Sequence, residues 1–392
     1  MILTKLFRKE ALALFLMLSI ILHFAFGVNT AYAEGTGIFA RSDQFTSRDL
    51  EQTPDLSGAV YLNVTDQNDL RITDAGVYVI SGNAANTTIY VEAASDDKVQ
   101  LVLQDVSIQN SSFPCIYVTK ADKVFVTVQG NNSLAVTGRF QADGSTNTDG
   151  VIFSKSDMVL NGTGTLTISS TENGVVGKDD LKITGGTYNI TAASKTLEAN
   201  DSIRIAGGSF TLKAGTDGLH AENDSDSSLG YIYITGGTFA ITAGDDAIHG
   251  QSVIQIDDGE ISISAAEGME GTYIQLNGGT INIQGRDDGI NAANKSDAYR
   301  ATIEINGGSV TIVMSSGDTD GIDSNGDLYI NGGVINVTGG SSFDYDGTAQ
   351  YNGGTIIING QQVDSIPNQR MGGGRGQQSG GWQNGGQGGK RR

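Results

Sequence analysis

The sequence predicts an all-β chain folded as a parallel β-helix, a stack of coils of about 22 residues with three strands each. Three observations predict it. Apolar and polar residues alternate with period two over most of the length, as in strands with one face buried. A self-similar unit recurs from residue 150 onward. Each unit repeats three apolar positions, one for each side of a coil. No 3.6-residue period supports a helical solenoid, and a propeller needs units of roughly 40 residues.

Residues 1–33 read as a secretory signal peptide. Lys5, Arg8 and Lys9 precede an apolar run from Ala11 to about Phe26, and Ala31-Tyr32-Ala33 provides a cleavage site before Glu34. No second long apolar run follows, so a mature chain outside the cytoplasm, without a membrane span, is expected. Its single cysteine, Cys115, excludes an intrachain disulfide. The formal charge of −20 repels nucleic acid and suits cations. Frequent glycine and scarce proline fit many short strands joined by tight turns.

Residues 34–55 carry no signal. Residues 56–149, with "AGVYVISG", "KVQLVLQDVSIQ" and "DKVFVTVQG", read as irregular first coils or a cap. Residues 150–366 read as regular coils. They open at Gly150, Gly174, Thr196, Gly218, Ala247, Gly268, Gly289, Gly321 and Ser342, with insertions at 221–230 and 292–301. The predicted inward columns are Ile183-Ile205-Ile234-Ile256-Leu276-Ile305-Ile330, Ile190-Leu212-Ile241-Ile263-Ile283-Ile312-Val337 and Val175-Leu197-Leu219-Ile248-Met269-Ile290-Ile322. Tyr188, Phe210 and Phe239 are inward by the same count. Asn277, Asn306, Asn331 and Asn352 precede double glycines and predict a structural amide ladder. Residues 367–392 lack apolar periodicity and read as a disordered, basic tail.

Two polar columns flank each coil opening. An acid stands before it at Asp149, Asp217, Asp246, Glu267, Asp288 and Asp320. An outward position two residues after it holds Glu198, His220, His249, Glu270, Asn291, Asp323 and Asp344. Carboxylates one coil apart, about 4.8 Å, repel by roughly 3–4 kcal/mol at an effective dielectric of 20. A bound divalent ion compensates this better than solvent, and oxygen-only clusters suit calcium. The expected ligands are Asp217, Asp245, Asp246, Asp287, Asp288, Asn291, Asp318, Asp320 and Asp323. "GDTDGIDSNGD" resembles an EF-hand loop, but flanking helices and the closing glutamate are missing. His220 and His249 share a column; with mostly carboxylate neighbours they read as surface residues rather than zinc ligands. Lys178, Lys182, Arg204, Arg286 and Lys295 are available as a general base, and spacing selects none. Tyr231, Tyr233, Tyr273 and Tyr329 fall on outward positions and are expected to form exposed platforms for sugar rings.

The stretch from "GVVGKDDLKITGGTYNIT" to "TFAITAGDDAIHG", with its "DDGI" and "GGT" steps and "GYIYI" strand, resembles a family of secreted bacterial carbohydrate-binding β-helix proteins. The founding member comes from a cellulose-degrading clostridium. The resemblance covers about residues 56–360 and departs at Ala247, Glu267 and Lys195-Thr196. It implies a right-handed parallel β-helix similar to family 9 pectate lyases, calcium at the "DD" and "DxD" steps, and binding to cellulose and pectin-like polymers. The expected function is calcium-dependent polysaccharide binding by a monomer at the cell surface or in the medium, without catalysis. A calcium-assisted lyase acting on uronic acid polymers and a structural or adhesive surface protein are the alternatives.

Overall fold

The computed structural model describes residues 37–369 with the exception of Asp318. The signal peptide at 1–33 and residues 370–392 of the tail lie outside the described residues. Among the described residues the chain is all-β apart from one helical turn, Arg41–Gln44. No helix among them is long and apolar enough to cross a membrane.

Strands pair in parallel with the strand one repeat further on. Asp157–Gly162 pairs with Asp180–Ile183, which pairs with Ser202–Ile205 and then with Tyr231–Thr242. Thr165–Ser170, Thr187–Ala192 and Ser209–Ala214 form a second series. Asn173–Gly177, Leu197–Ala199 and Leu219–Ala221 form a third. The irregular N-terminal strands feed the same network: Gly76–Ala85 pairs with Lys98–Asn110, and this with Lys123–Gln129. The last parallel strand, Thr355–Ile358, is met by the antiparallel strand Gln361–Val363. Asn368 and Gln369, assigned to the tail by composition, hydrogen-bond to Tyr345 O and Phe343 O.

The three predicted apolar columns are buried along their whole length, with no member more than 4% exposed. In-register pairing puts like on like, as in Ile183↔Ile205 and Ile263↔Ile283. Each such side chain contributes about 1.5–3 kcal/mol relative to exposure. Tyr188, Phe210 and Phe239 continue the core as a stack, with ring centroids 5.4 and 4.5 Å apart. The amide ladder is present: Asn306 Nδ2 donates to Asn277 Oδ1 at 2.8 Å, Asn331 to Asn306 at 2.7 Å and Asn352 to Asn331 at 2.7 Å. The double glycines beside it follow from backbone geometry. Gly308 has φ +79°, and a Cβ there would lie 2.7 Å from the Gly278 carbonyl carbon in the preceding coil.

The segment from Phe39 to Gln52, uninformative in sequence, is bound across one outer face of the strands. Its Phe39 N–H donates to Gln255 Oε1 at 2.8 Å, and Gln255 Nε2 donates to Phe39 O at 3.0 Å. At the other end Gln52 accepts from Gly162 N at 2.9 Å and donates to Thr184 O at 3.1 Å.

Candidate cation sites beside the coil openings

Strand register brings the two polar columns together. Glu198, His220, His249, Glu270, Asn291, Asp323 and Asp344 are consecutive partners in the parallel pairing. Asp246 and Glu267 are likewise in register in the column before the openings. The opening glycine allows this close stacking: a Cβ on Gly268 would lie 2.3 Å from Gly289 O.

The first cluster surrounds the two histidines. Their rings stack with centroids 4.6 Å apart and planes 13° apart. His249 Nδ1 lies 2.8 Å from Asp246 Oδ2 and 3.1 Å from Glu270 Oε2. His220 Nδ1 lies 2.9 Å from Asp217 Oδ2, and its Nε2 lies 3.2 Å from Glu222 Oε2. Lys295 Nζ approaches Glu270 Oε1 at 2.9 Å. These side chains and Asp245 line an open cavity of about 290 Å³. Glu222 and Lys295 come from the two insertions, which touch through Ser296 Oγ and Ser227 O. Burial opposes charge on His249, but hydrogen bonds to Asp246 and Glu270 raise its pKa to about 9. Burial likewise opposes ionisation of Glu270, yet His249 and Lys295 lower it to about 2. Glu267, beside them, is raised to about 8 by burial and by the charges of Asp246 and Glu270. By sequence the two histidines read as surface residues, but both are buried. Their shared column, one period apart, was the available signal.

The second cluster is oxygen-only. Asn291, Asp323 and Asp344 stack in register. Asp320 N–H donates to Asp288 Oδ1 at 3.1 Å, and Asn291 Nδ2 donates to Glu267 Oε2 at 3.1 Å. Asp323 is raised to about 7 by burial and by Asp288, Asp320, Asp344 and Asp346. Asp288 is raised to about 6 by burial and by Asp287, Asp320 and Glu270, against a backbone hydrogen bond from Asp320. Among the described residues no lysine or arginine forms an ion pair with Asp323 or Asp344. The buried Asn291 Oδ1 and Asp344 Oδ1 have no hydrogen-bond partner. Unsatisfied buried oxygens beside mutually repelling carboxylates fit a hard cation such as calcium.

The remaining predicted ligands are less enclosed. Asp245 and Asp287 are exposed. Asp318 lies outside the described residues. The coil opening at Thr196, which lacks an acid, carries cations instead: Lys178 and Lys195 lie 3.1 and 3.7 Å from Glu198. The other candidate bases are engaged too. Lys182 pairs with Asp49, Arg204 with Asp180, and Arg286 donates to Gly244 O.

The tyrosine platform requires correction. Tyr231 and Tyr233 do point away from the main core, but they are only 8% and 0% exposed. Phe39 stacks on Tyr231 at 4.4 Å, and Phe45 lies 6.4 Å from Tyr233. The bound N-terminal segment therefore covers both rings, and they are not available to sugar. Tyr273 and Tyr329 are half-buried. Tyr273 donates its hydroxyl to Glu304 Oε2 at 2.8 Å, and Glu304 is in register with Tyr329.

Two stretches, residues 66–274 and 264–366, match the profile of the carbohydrate-binding domain-containing proteins. The chain belongs to this family. A carbohydrate-binding domain-containing protein of Acetivibrio thermocellus is 32% identical over 125 residues, 31% of this chain and 44% of the relative. The match thus spans less than half the length of that relative. A solved structure titled as the polysaccharide lyase-like protein from C. thermocellum, gadolinium derivative, aligns over 76% of this chain and 96% of its own. Its identity is 22% and its TM-score 0.43.

Proposed function

We propose that this protein binds polysaccharide outside the cell, as a monomer, and that calcium held by Asp288, Asn291, Asp320, Asp323 and Asp344 is part of the binding surface. In this reading the strand network is a right-handed parallel β-helix of three-strand coils. Membership of the carbohydrate-binding family supports the partner class. The observation that carries the calcium is the oxygen-only column, where the carboxyls of Asp323 and Asp288 are raised and the buried Oδ1 atoms of Asn291 and Asp344 have no hydrogen-bond partner.

An acidic protein meets an acidic polymer only through a bridging cation. Pectin-like chains are therefore bound through calcium, whereas a neutral polymer such as cellulose is bound through ring faces, with Tyr273 and Tyr329 as the available ones. The engagement of each candidate base in an ion pair or hydrogen bond supports binding without cleavage. The test is retention on insoluble cellulose and on immobilised polygalacturonate, with calcium or with chelator. Ultraviolet absorbance of unsaturated uronides is followed in parallel. Retention on pectin that survives chelation refutes the bridging role, and steady release of unsaturated product refutes the non-catalytic reading.

A further inference from the structure

We propose that the cavity at His220 and His249 is a second metal site, distinct in chemistry from the calcium column, and takes a divalent transition ion of the zinc, cobalt or copper kind. The core of the site is His249 with Asp246 and Glu270. His220 and Glu222 adjoin it as further donors.

The first argument is geometric. His249 Nδ1 has one position for a proton, yet Asp246 Oδ2 and Glu270 Oε2 both converge on it, at 2.8 and 3.1 Å. One N–H cannot point squarely at both. A metal ion in place of that proton accepts the nitrogen and both oxygens together. The three ligand atoms lie within 4.8 Å of one another on buried residues, and a donor atom from each of His220, Glu222 and His249 meets the same limit.

The second argument is the donor set. Calcium takes oxygen ligands, whereas neutral imidazole favours zinc, copper and their neighbours. Nitrogen and carboxylate donors together are those of many zinc sites. The oxygen-only column, with Asp323 and Asp344 further along the same register, has no imidazole. The chain thus separates hard and borderline donors within one stripe of side chains.

The third argument is preorganisation. Register fixes His220 against His249, and the near-parallel rings leave little rotational freedom. The buried His220 Nδ1, 2.9 Å from Asp217 Oδ2, has no hydrogen-bond partner and is free to ligate, while Lys295 holds the far oxygen of Glu270. Such supporting contacts orient ligands and tune metal affinity. Both insertions in the repeat contribute to this rim, and they meet through Ser296 and Ser227. The open cavity leaves room for water or an external ligand on the ion.

The test uses the untagged full chain, stripped with chelator and then saturated with calcium to fill the oxygen-only sites. Cobalt(II) is titrated by calorimetry and visible absorbance. One tight equivalent is expected, with its d–d bands. His249→Gln and Glu270→Gln are expected to weaken binding by at least the roughly 10- to 100-fold that loss of a mere supporting contact costs, and Asp323→Asn to leave it unchanged. Cobalt displaced by excess calcium, or bound equally by His249→Gln, overturns the proposal. A variant that fails to fold is bypassed by copper(II) on the wild-type chain. Nitrogen hyperfine coupling in its paramagnetic resonance spectrum supports imidazole ligation, and an oxygen-only spectrum overturns it. The calcium reading can fail in its own retention assay while this result stands.

Discussion

Asp49 is fully buried, with its Oδ2 3.3 Å from the Nζ of Lys182, a residue 133 positions later. Lys123 lies 3.4 Å from the other carboxylate oxygen. The pair fastens the N-terminal segment over the outer face of the strands. That contact decides which aromatic rings are covered, and so which remain for a ligand.

Replacing Asp49 by Asn is expected to destabilise the fold by about 3 kcal/mol at neutral pH, because Lys182 is left buried without its counter-charge. The Asp49 carboxyl is held below the usual range: burial opposes the charge, but the Thr46 N–H, Lys182 and Lys123 outweigh it. A depressed folded pKa means that the unfolded chain takes the proton more readily. The stabilisation is therefore full above the ordinary carboxylate pKa of about 3.9 and fades as pH falls through the lower folded value. Melting curves of wild type and Asp49→Asn should converge in acid. A gap that stays constant with pH would show that the ion pair is not its source.

This segment marks the limit of what local sequence conveys. The three apolar columns were legible because period-two alternation and the repeat together fix which face each residue takes. The outward polar column was legible for the same reason, and its register agrees residue by residue; in the column before the openings Asp246 pairs with Glu267, but Gly150 pairs with Asn173 rather than with Gly174. Tyr231 and Tyr233 were correctly placed outside the main core, but coverage by Phe39 and Phe45 leaves no periodic trace. The placement of Lys295 and Glu222 beside the histidines was also hidden: they sit in insertions whose path the repeat does not dictate. The histidine cluster needed ring geometry, which the shared column alone does not supply.

Ile241 and Thr242 test the inward and outward assignment directly. Ile241 is 2% exposed in the second apolar column, and its neighbour Thr242 is exposed. Ile241→Asp puts an unpaired charge among apolar side chains and is expected to cost about 4 kcal/mol or more. Thr242→Asp should stay within about 0.5 kcal/mol. Chemical denaturation of the two variants distinguishes them, and equal midpoints would overturn the assignment.

Calcium is expected to raise the melting temperature, since an ion at 100 times its dissociation constant adds about 2.7 kcal/mol. Asp323→Asn should do two opposite things. It removes a charge repelled by Asp288, Asp320 and Asp344, so the calcium-free variant should melt above the calcium-free wild type. It also removes a ligand, so the response to added calcium should shrink. Scanning calorimetry in chelator and in excess calcium reads both effects. A variant less stable than wild type in chelator would mean that the repulsion is already relieved without an ion.

The last prediction separates the rings that touch sugar from those that hold the fold. Tyr329 is half-buried on an outward position, and Tyr233 is fully buried beneath Phe39 and Phe45 with its hydroxyl 2.6 Å from Asp257 Oδ2. Tyr233→Ala empties a packed site and is expected to cost about 3–5 kcal/mol of stability. Its retention on cellulose, measured well below its melting point, should equal that of wild type. Tyr329→Ala should melt close to wild type yet weaken retention by roughly 3- to 10-fold, the worth of one aromatic contact. Depletion isotherms on cellulose beside melting curves give the two readings independently. If Tyr329→Ala binds as wild type does while Tyr233→Ala, still folded, binds less, the sugar platform lies under the N-terminal segment and that segment must move to expose it.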